Sequence, residues 1–168
     1  MPGSLRFTFW IATLATAVSG VAYGLTFWGL TSYWLLFGLP LLLLVWFAVV
    51  AQWRRVPRRN FASEIFGDIP RWMKIAVAAL LLFAFANYFA CRALNDGAQP
   101  EIRADGSAAL VARGGRVVRE LDAAGLSRAR AVQFRMMSGA FLACFGLAAL
   151  LAEACWIKNG PAMADRRI

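Results

Sequence analysis

Histidine is absent from this 168-residue chain, and that absence removes much chemistry. Without imidazole the chain offers no His-ligated haem, no His-metal site and no His general base. The Ser-His-Asp arrangement of nucleophilic hydrolases cannot form either. Acids are scarce: nine Asp and Glu stand against eighteen Lys and Arg. Only 16% of the residues are charged, where soluble domains carry about 25%. Three cysteines occur, Cys91, Cys144 and Cys155, with no C-x-x-C pair among them. All three lie in or at the ends of apolar segments, so they read as small polarisable thiols rather than a redox pair. No phosphate-binding loop is present, because Gly114-Gly115 lacks a following Lys-Ser/Thr. The net charge of +9 comes without a soluble basic surface interleaved with aromatics, which argues against nucleic acid. No internal repeat or low-complexity tract is evident. The expectation is therefore no cofactor, no metal and no catalytic constellation.

What the chain has instead is apolar length. Hydrophobic residues make up 61% of it, concentrated in runs. Four runs are long enough to cross about 30 Å of hydrocarbon as helices. They cover roughly 7–28, 33–53, 71–92 and 131–156. In lipid a spanning segment must satisfy its own backbone, so each reads as a helix. Ala17-Val18-Ser19 resembles a signal cleavage site, but apolar residues continue beyond it, and the first run reads as a retained span. The expected fold is an all-α integral membrane protein: a four-transmembrane-helix bundle with a small extramembrane β-hairpin between helices 3 and 4.

Arginine placement sets the expected orientation. Arg54, Arg55, Arg58, Arg59 and Arg71 crowd the second connection, and Lys158, Arg166 and Arg167 follow the last span. The first connection, around Thr31 and Ser32, is uncharged. Both termini are therefore expected in the cytoplasm, with the 93–130 connection outside, as in a bacterial inner membrane. That connection carries Arg103, Arg113, Arg116, Arg119, Arg128 and Arg130, which oppose this assignment. Five acids there, Asp96, Glu101, Asp105, Glu120 and Asp122, nearly balance them. Aromatic belts agree with four spans: Trp10, Trp53, Trp72 and Trp156 at one interface, Trp28, Tyr33, Trp34 and Tyr88 at the other.

The connections have structure of their own. Asn60 could cap a short surface helix over 60–69, with an irregular loop as the alternative. In the third connection Ala109–Ala112 and Arg116–Arg119 flank Gly114-Gly115, which predicts a β-hairpin with a two-residue turn. A lone hairpin is marginal in water, so it should pack on something. Ser127 reads as the N-cap of a fourth helix that starts outside the bilayer.

Several residues stand out within the spans. Ala12, Thr16, Gly20 and Gly24 recur every fourth residue on the first helix. Gly139, Ala143, Gly146 and Ala149 form a second small-residue face, on the fourth. Small faces let helix backbones approach in lipid, within the bundle or toward another chain. The second helix is bulky, and Pro40 predicts a kink in it. Glu153 extends the fourth helix's small face close to Trp156. It reads first as a structural ion pair with Arg6, Arg54 or Arg55, and second as a proton or cation relay. Asn87 shares a face with Ala84 and Cys91 and suits an interhelical hydrogen bond. Arg92 and Arg135 are expected at the outer rims, snorkelling to phosphate. Arg128, Arg130 and Arg135 are expected on the first turns of the fourth helix, where they oppose the macrodipole and call for acids or lipid phosphate. The Arg54-Arg55-Val56-Pro57-Arg58-Arg59 cluster suits anionic lipid headgroups or an acidic protein.

Taken together, these features predict a non-catalytic interaction protein: an accessory or assembly subunit of a membrane complex, or a membrane partner that masks another protein. Its partners would be anionic lipids and another membrane protein or a second copy. A small oligomeric transporter using Glu153, Asn87 and the outer arginines is the alternative, and a lipid-modifying enzyme the third.

Overall fold

The computed structural model describes residues 3–31 and 69–164, with side chains over 6–31 and 69–157. Helix α1 covers Gly3–Leu25 and tightens into a 3-10 turn at Thr26–Trp28. Helix α2 covers Arg71–Leu94. Strands β1 (Gln99–Ile102), β2 (Ala108–Val111) and β3 (Val117–Leu121) follow, and helix α3 covers Ala123–Ala164. Among the described residues three helices are long and apolar enough to cross a membrane, over Arg6–Trp28, Arg71–Leu94 and Ala123–Ile157. Sequence predicts a fourth, at 33–53. That span, with Pro40, the Arg54–Arg59 cluster and the 60–68 part of the surface-helix segment, lies outside the described residues.

The exposed surface of these helices is that of a membrane protein. Phe7, Trp10, Leu14 and Val21 on α1 are exposed, as are Trp72, Ile75, Leu82, Phe85 and Phe89 on α2. Water-soluble proteins rarely expose contiguous apolar area on this scale. Three helices of this length and apolarity fit an integral membrane location.

Helix α3 is the central element, and α1 and α2 both pack on it. Both run antiparallel to it. Thr26 of α1 meets Arg135, while Arg6 and Trp10 lie beside Glu153 and Trp156. On α2, Asn95 meets Ala129, Asn87 meets Arg135 and Met136, and Leu80 packs over Gly146. Hence α1 and α2 are parallel to each other.

The buried row of α1 is Thr8, Ala12, Ala15, Ser19, Ala22 and Thr26. These small residues alternate spacings of four and three, the 3.5-residue period of a left-handed helix pair. This corrects the every-fourth-residue row. Four residues advance 40° past a full turn, so three such steps drift about 120° around the helix. Ala12 is fully buried, but Thr16 and Gly20 sit at the flank, and a side chain at Gly24 would meet nothing within 4 Å. Ser19 and Thr16 donate their hydroxyls to Ala15 O and Ala12 O, so their polarity is spent within the helix.

The extramembrane part is a three-stranded antiparallel sheet in the order β1-β2-β3, not a lone hairpin. Both of its turns use one pattern. In the first, Arg103 N donates to Ser107 O and Gly106 N to Arg103 O, across Ala104-Asp105-Gly106. In the second, Ala112 N donates to Arg116 O and Gly115 N to Ala112 O, across Arg113-Gly114-Gly115. The predicted two-residue turn is therefore a three-residue loop. Gly106 and Gly115 close these loops at φ 82° and 81°, where an L side chain is strained. The sheet packs on the start of α3 through Leu110 and Leu121 against Ala98 and Ala129. That contact supplies the support an isolated hairpin lacks.

Helix α3 begins at Ala123, five residues before the start at 128 that a Ser127 cap predicts, and Ser127 lies inside its first turns. Asp122 Oδ1 accepts the Gly125 backbone N–H at 2.6 Å, the bond a capping side chain makes to the third helical residue. At forty-two residues α3 is roughly 60 Å long, about twice the hydrocarbon thickness.

Candidate functional site

The densest polar constellation lies where all three helices approach the sheet. Arg135 is on α3, about three turns from its start. Its Nε donates to Thr26 Oγ1 at 3.0 Å and its Nη2 to Thr26 O at 3.2 Å. Its guanidinium carbon sits 3.9 Å from the Phe27 ring centroid. Thr26 in turn donates its hydroxyl to Tyr23 O at 2.6 Å. The Tyr23 ring stands edge-on to Phe27 and to Phe83 of α2, each at 5.5 Å.

The physical logic is that of a helix end. The last carbonyls of α1 lack intrahelical donors and carry the negative pole of the macrodipole. Arg135 supplies both donors and positive charge, and the Phe27 face adds a cation–π contact. The expectation of an outer-rim Arg135 reaching for lipid phosphate is thus corrected. Its charge turns inward, to α1. The macrodipole objection also lapses for Arg135, since it lies too far along α3 to feel the N-terminal pole.

Asn87 joins the third helix to this cluster. Its Nδ2 donates to Arg135 O and Met136 O of α3, both at 3.4 Å. Its Oδ1 accepts from Cys91 Sγ at 3.6 Å. Gly139 makes this possible, since a Cβ there would collide with the Asn87 amide and lie 3.2 Å from the Tyr23 ring. One heptad on, a Cβ at Gly146 would stand 3.0 Å from Leu80 Cδ1. Ala143 is buried, whereas Ala149 is only half-buried. Ser138 is fully buried and donates to Phe134 O at 2.9 Å. Past the end of α2, Asn95 is buried and its Nδ2 donates to Ala129 O at 3.1 Å. Among the described residues no buried side-chain nitrogen or oxygen lacks a partner.

The remaining arginines do not converge. Arg92 is exposed and lies over Gly97, with Nη2 3.4 Å from where a Cβ would stand. Arg128 is exposed in a groove of about 540 Å³ beside Arg119, Glu120 and Asp122, and Arg130 is half-buried nearby on α3. Arg119 pairs with Asp96 at 3.7 Å on the surface. Arg54, Arg55, Arg58 and Arg59 are outside the described residues.

At the opposite end, Glu153 and Arg6 line one open cleft of about 460 Å³ with Phe9, Trp10 and Trp156. Arg6 and Glu153 do not pair with each other or with another described residue, while Arg54 and Arg55, the other partners expected for Glu153, lie outside the described residues. Cys91, Cys144 and Cys155 form no disulfide among the described residues.

Sequence reasoning missed Tyr23, Thr26 and Phe27 as partners. Two signals pointed there. An arginine inside an apolar run needs a partner at its own depth. The 3.5-residue row of small residues on α1 also ends on Thr26. Comparison with protein-family models, characterised proteins and solved structures gives no match.

Proposed function

We propose that this chain is a non-catalytic interaction protein of the membrane, an accessory or assembly subunit that presents its extramembrane sheet to a partner protein. The observation that carries this reading is how the sheet is mounted. A sheet needed only to link two spans could be a short loop. Here it shares a core with α3, and α3 continues from that core into the bundle. The Arg119–Asp96 pair ties the sheet to the end of α2, and the Asn95–Ala129 bond ties that end to α3. Strand β3 lies at the edge with Val117 and Val118 exposed, and an unpaired edge is a template for a partner strand. The interior polar groups also favour this reading, because Arg135, Asn87, Thr26 and Ser138 are spent on holding helices together.

The arrangement in the membrane follows the same reading. Parallel α1 and α2 leave the chain at one membrane face after α1 and need it at the other before α2. The apolar run 33–53 has the length in the sequence to be the returning span on this reading. This supports four crossings with both termini on one side and the sheet on the other; on this reading the arginines of 54–71 and of the tail make the termini's side the cytoplasm of a bacterial inner membrane.

Purification in mild detergent after chemical crosslinking tests the proposal. A stoichiometric second protein should be recovered, with crosslinks mapping to 99–121. Recovery of a solitary monomer under the same conditions overturns it. Cysteine accessibility at an introduced Ser107→Cys reads the orientation: labelling by an impermeant reagent in intact cells is expected, and labelling only after lysis reverses the topology.

A further inference from the structure

The cleft between the start of α1 and the later turns of α3 has its own chemistry. Arg6 is exposed and Glu153 half-buried, and both line it without bonding to each other. Trp10 and Trp156, 62% and 46% exposed, flank the same space. Trp72, on the first turn of α2, lies at this end of the bundle too. Indole rings gather at headgroup depth, so the cleft opens at the interface rather than mid-membrane. Among the described residues neither charge has a salt-bridge partner, and a ligand carrying both complementary charges between the two indoles can pair with both at once.

We infer that this cleft binds the headgroup of a zwitterionic aminophospholipid, phosphate toward Arg6 and primary ammonium toward Glu153. Arg6 stands on the first turn of α1, where unpaired backbone N–H groups and the positive helix pole add to its pull on phosphate. The Glu153 carboxylate accepts N–H donors from the ammonium group. A choline headgroup offers none, and a glycerol headgroup lacks the positive charge. Exposed Phe7 and Leu14 continue along α1 and give an acyl chain an apolar wall. The lipid, rather than a free phosphoethanolamine, is the source because Trp10, which lines the cleft, is followed one turn on by exposed Leu14 and preceded by exposed Phe7 on α1. This selectivity differs from the attraction of basic clusters for anionic lipid, since Glu153 disfavours a purely anionic headgroup.

The full chain in detergent, titrated with defined lipids and read by native mass spectrometry and tryptophan quenching with bromine-labelled chains, tests the assignment. Phosphatidylethanolamine should be retained at one per chain over phosphatidylcholine and phosphatidylglycerol by on the order of tenfold, the worth of one charge-assisted hydrogen bond. Mono- and dimethylated ethanolamine lipids should fall between, each lost N–H donor weakening binding; this series uses the unaltered protein. Glu153→Gln should erase the preference over phosphatidylcholine, and Arg6→Gln should weaken all three lipids. Equal retention of the three lipids, a flat methylation series, or an unchanged preference in Glu153→Gln overturns the proposal. Displacement by soluble glycerophosphoethanolamine as effectively as by the lipid overturns the lipid as the source.

Discussion

The two ends of the helix bundle spend their polar residues in opposite ways. At the sheet end, Arg135, Thr26, Asn87, Ser138 and Asn95 all bond to neighbouring backbone or side chains inside the protein. At the other end, Arg6 and Glu153 share an open cleft and leave each other unbonded. In lipid, apolar contact drives helices together only weakly, so close packing and internal hydrogen bonds carry association. The sheet end has both and is a built joint. At the cleft end Arg6 and Glu153 have no salt-bridge partner among the described residues, which suits contact with something outside the chain. Substitutions at the two ends should therefore separate stability from binding.

The largest effect is expected at Gly139. Its Cα approaches α2 so closely that a Cβ would lie 2.9 Å from Asn87 Cγ, with the Tyr23 ring on the other side. Gly139→Leu should cost about 3 kcal/mol or more, since overpacking a fixed joint displaces backbone. Gly24→Ala, with open space around it, should be neutral or gain up to roughly 1 kcal/mol from helix propensity. Thermal unfolding in detergent compares the two, and similar midpoints would remove Gly139 from the joint. Next comes Arg135→Leu, which removes two hydrogen bonds to Thr26 and the cation over Phe27. A loss of about 2 kcal/mol is expected, within the range for hydrogen bonds to a charged group. Arg135→Lys should recover less than half of it, because an ammonium cannot hold Thr26 Oγ1, Thr26 O and the Phe27 face together. Glu153→Gln, at the cleft end, should leave the unfolding midpoint in place. A large shift there would break the contrast between the ends.

Much of this was legible in the sequence, and the parts that were not have physical causes. Apolar run length marked α1, α2 and α3 within a few residues at most boundaries, because a fixed rise and a fixed hydrocarbon thickness leave little freedom. Asn87 stood out as a polar residue in such a run. The face of α1 was misread because a four-residue period and a 3.5-residue period coincide for one turn and then diverge. Thr8, Ala15, Ser19 and Ala22 lie on the true row. Strand β1 was missed although Asp105-Gly106 is a strong turn signal; Pro100 and the short strand masked it. The inward turn of Arg135 was signalled only indirectly, by its place in an apolar run and by the α1 row that ends on Thr26; which helix ends at its depth comes from the fold.

Asp122→Ala tests the start of α3, where the sheet joins the bundle. Losing the bond to Gly125 N–H should cost about 1 kcal/mol, whereas Ser127→Ala should cost almost nothing. Amide exchange of Ala124–Leu126 should quicken only in Asp122→Ala. The reverse result would move the helix start back to 127.

The smallest effect belongs to the first turn of the sheet. Asp105 Oδ1 accepts the Ser107 hydroxyl at 2.6 Å and the Ser107 backbone N–H at 2.9 Å. The hydroxyl bond first, then the backbone bond, holds the carboxyl below the usual carboxylate range, with Arg103 at 4.0 Å a lesser contributor. A carboxyl depressed in the folded state binds its proton more weakly there than in the unfolded chain. Its support for the fold is therefore complete above the ordinary carboxylate value and is lost as pH falls through the depressed one. The group is fully solvated, so the loss should show locally, not as unfolding of the helices. Carboxyl chemical shifts followed from neutral pH downward should give a midpoint below the ordinary Asp value. Ser107→Ala removes the larger contributor and keeps the backbone donor, so the midpoint should rise without reaching that ordinary value. An unmoved midpoint would mean that Arg103 or the backbone N–H, not the hydroxyl, sets the charge of this turn.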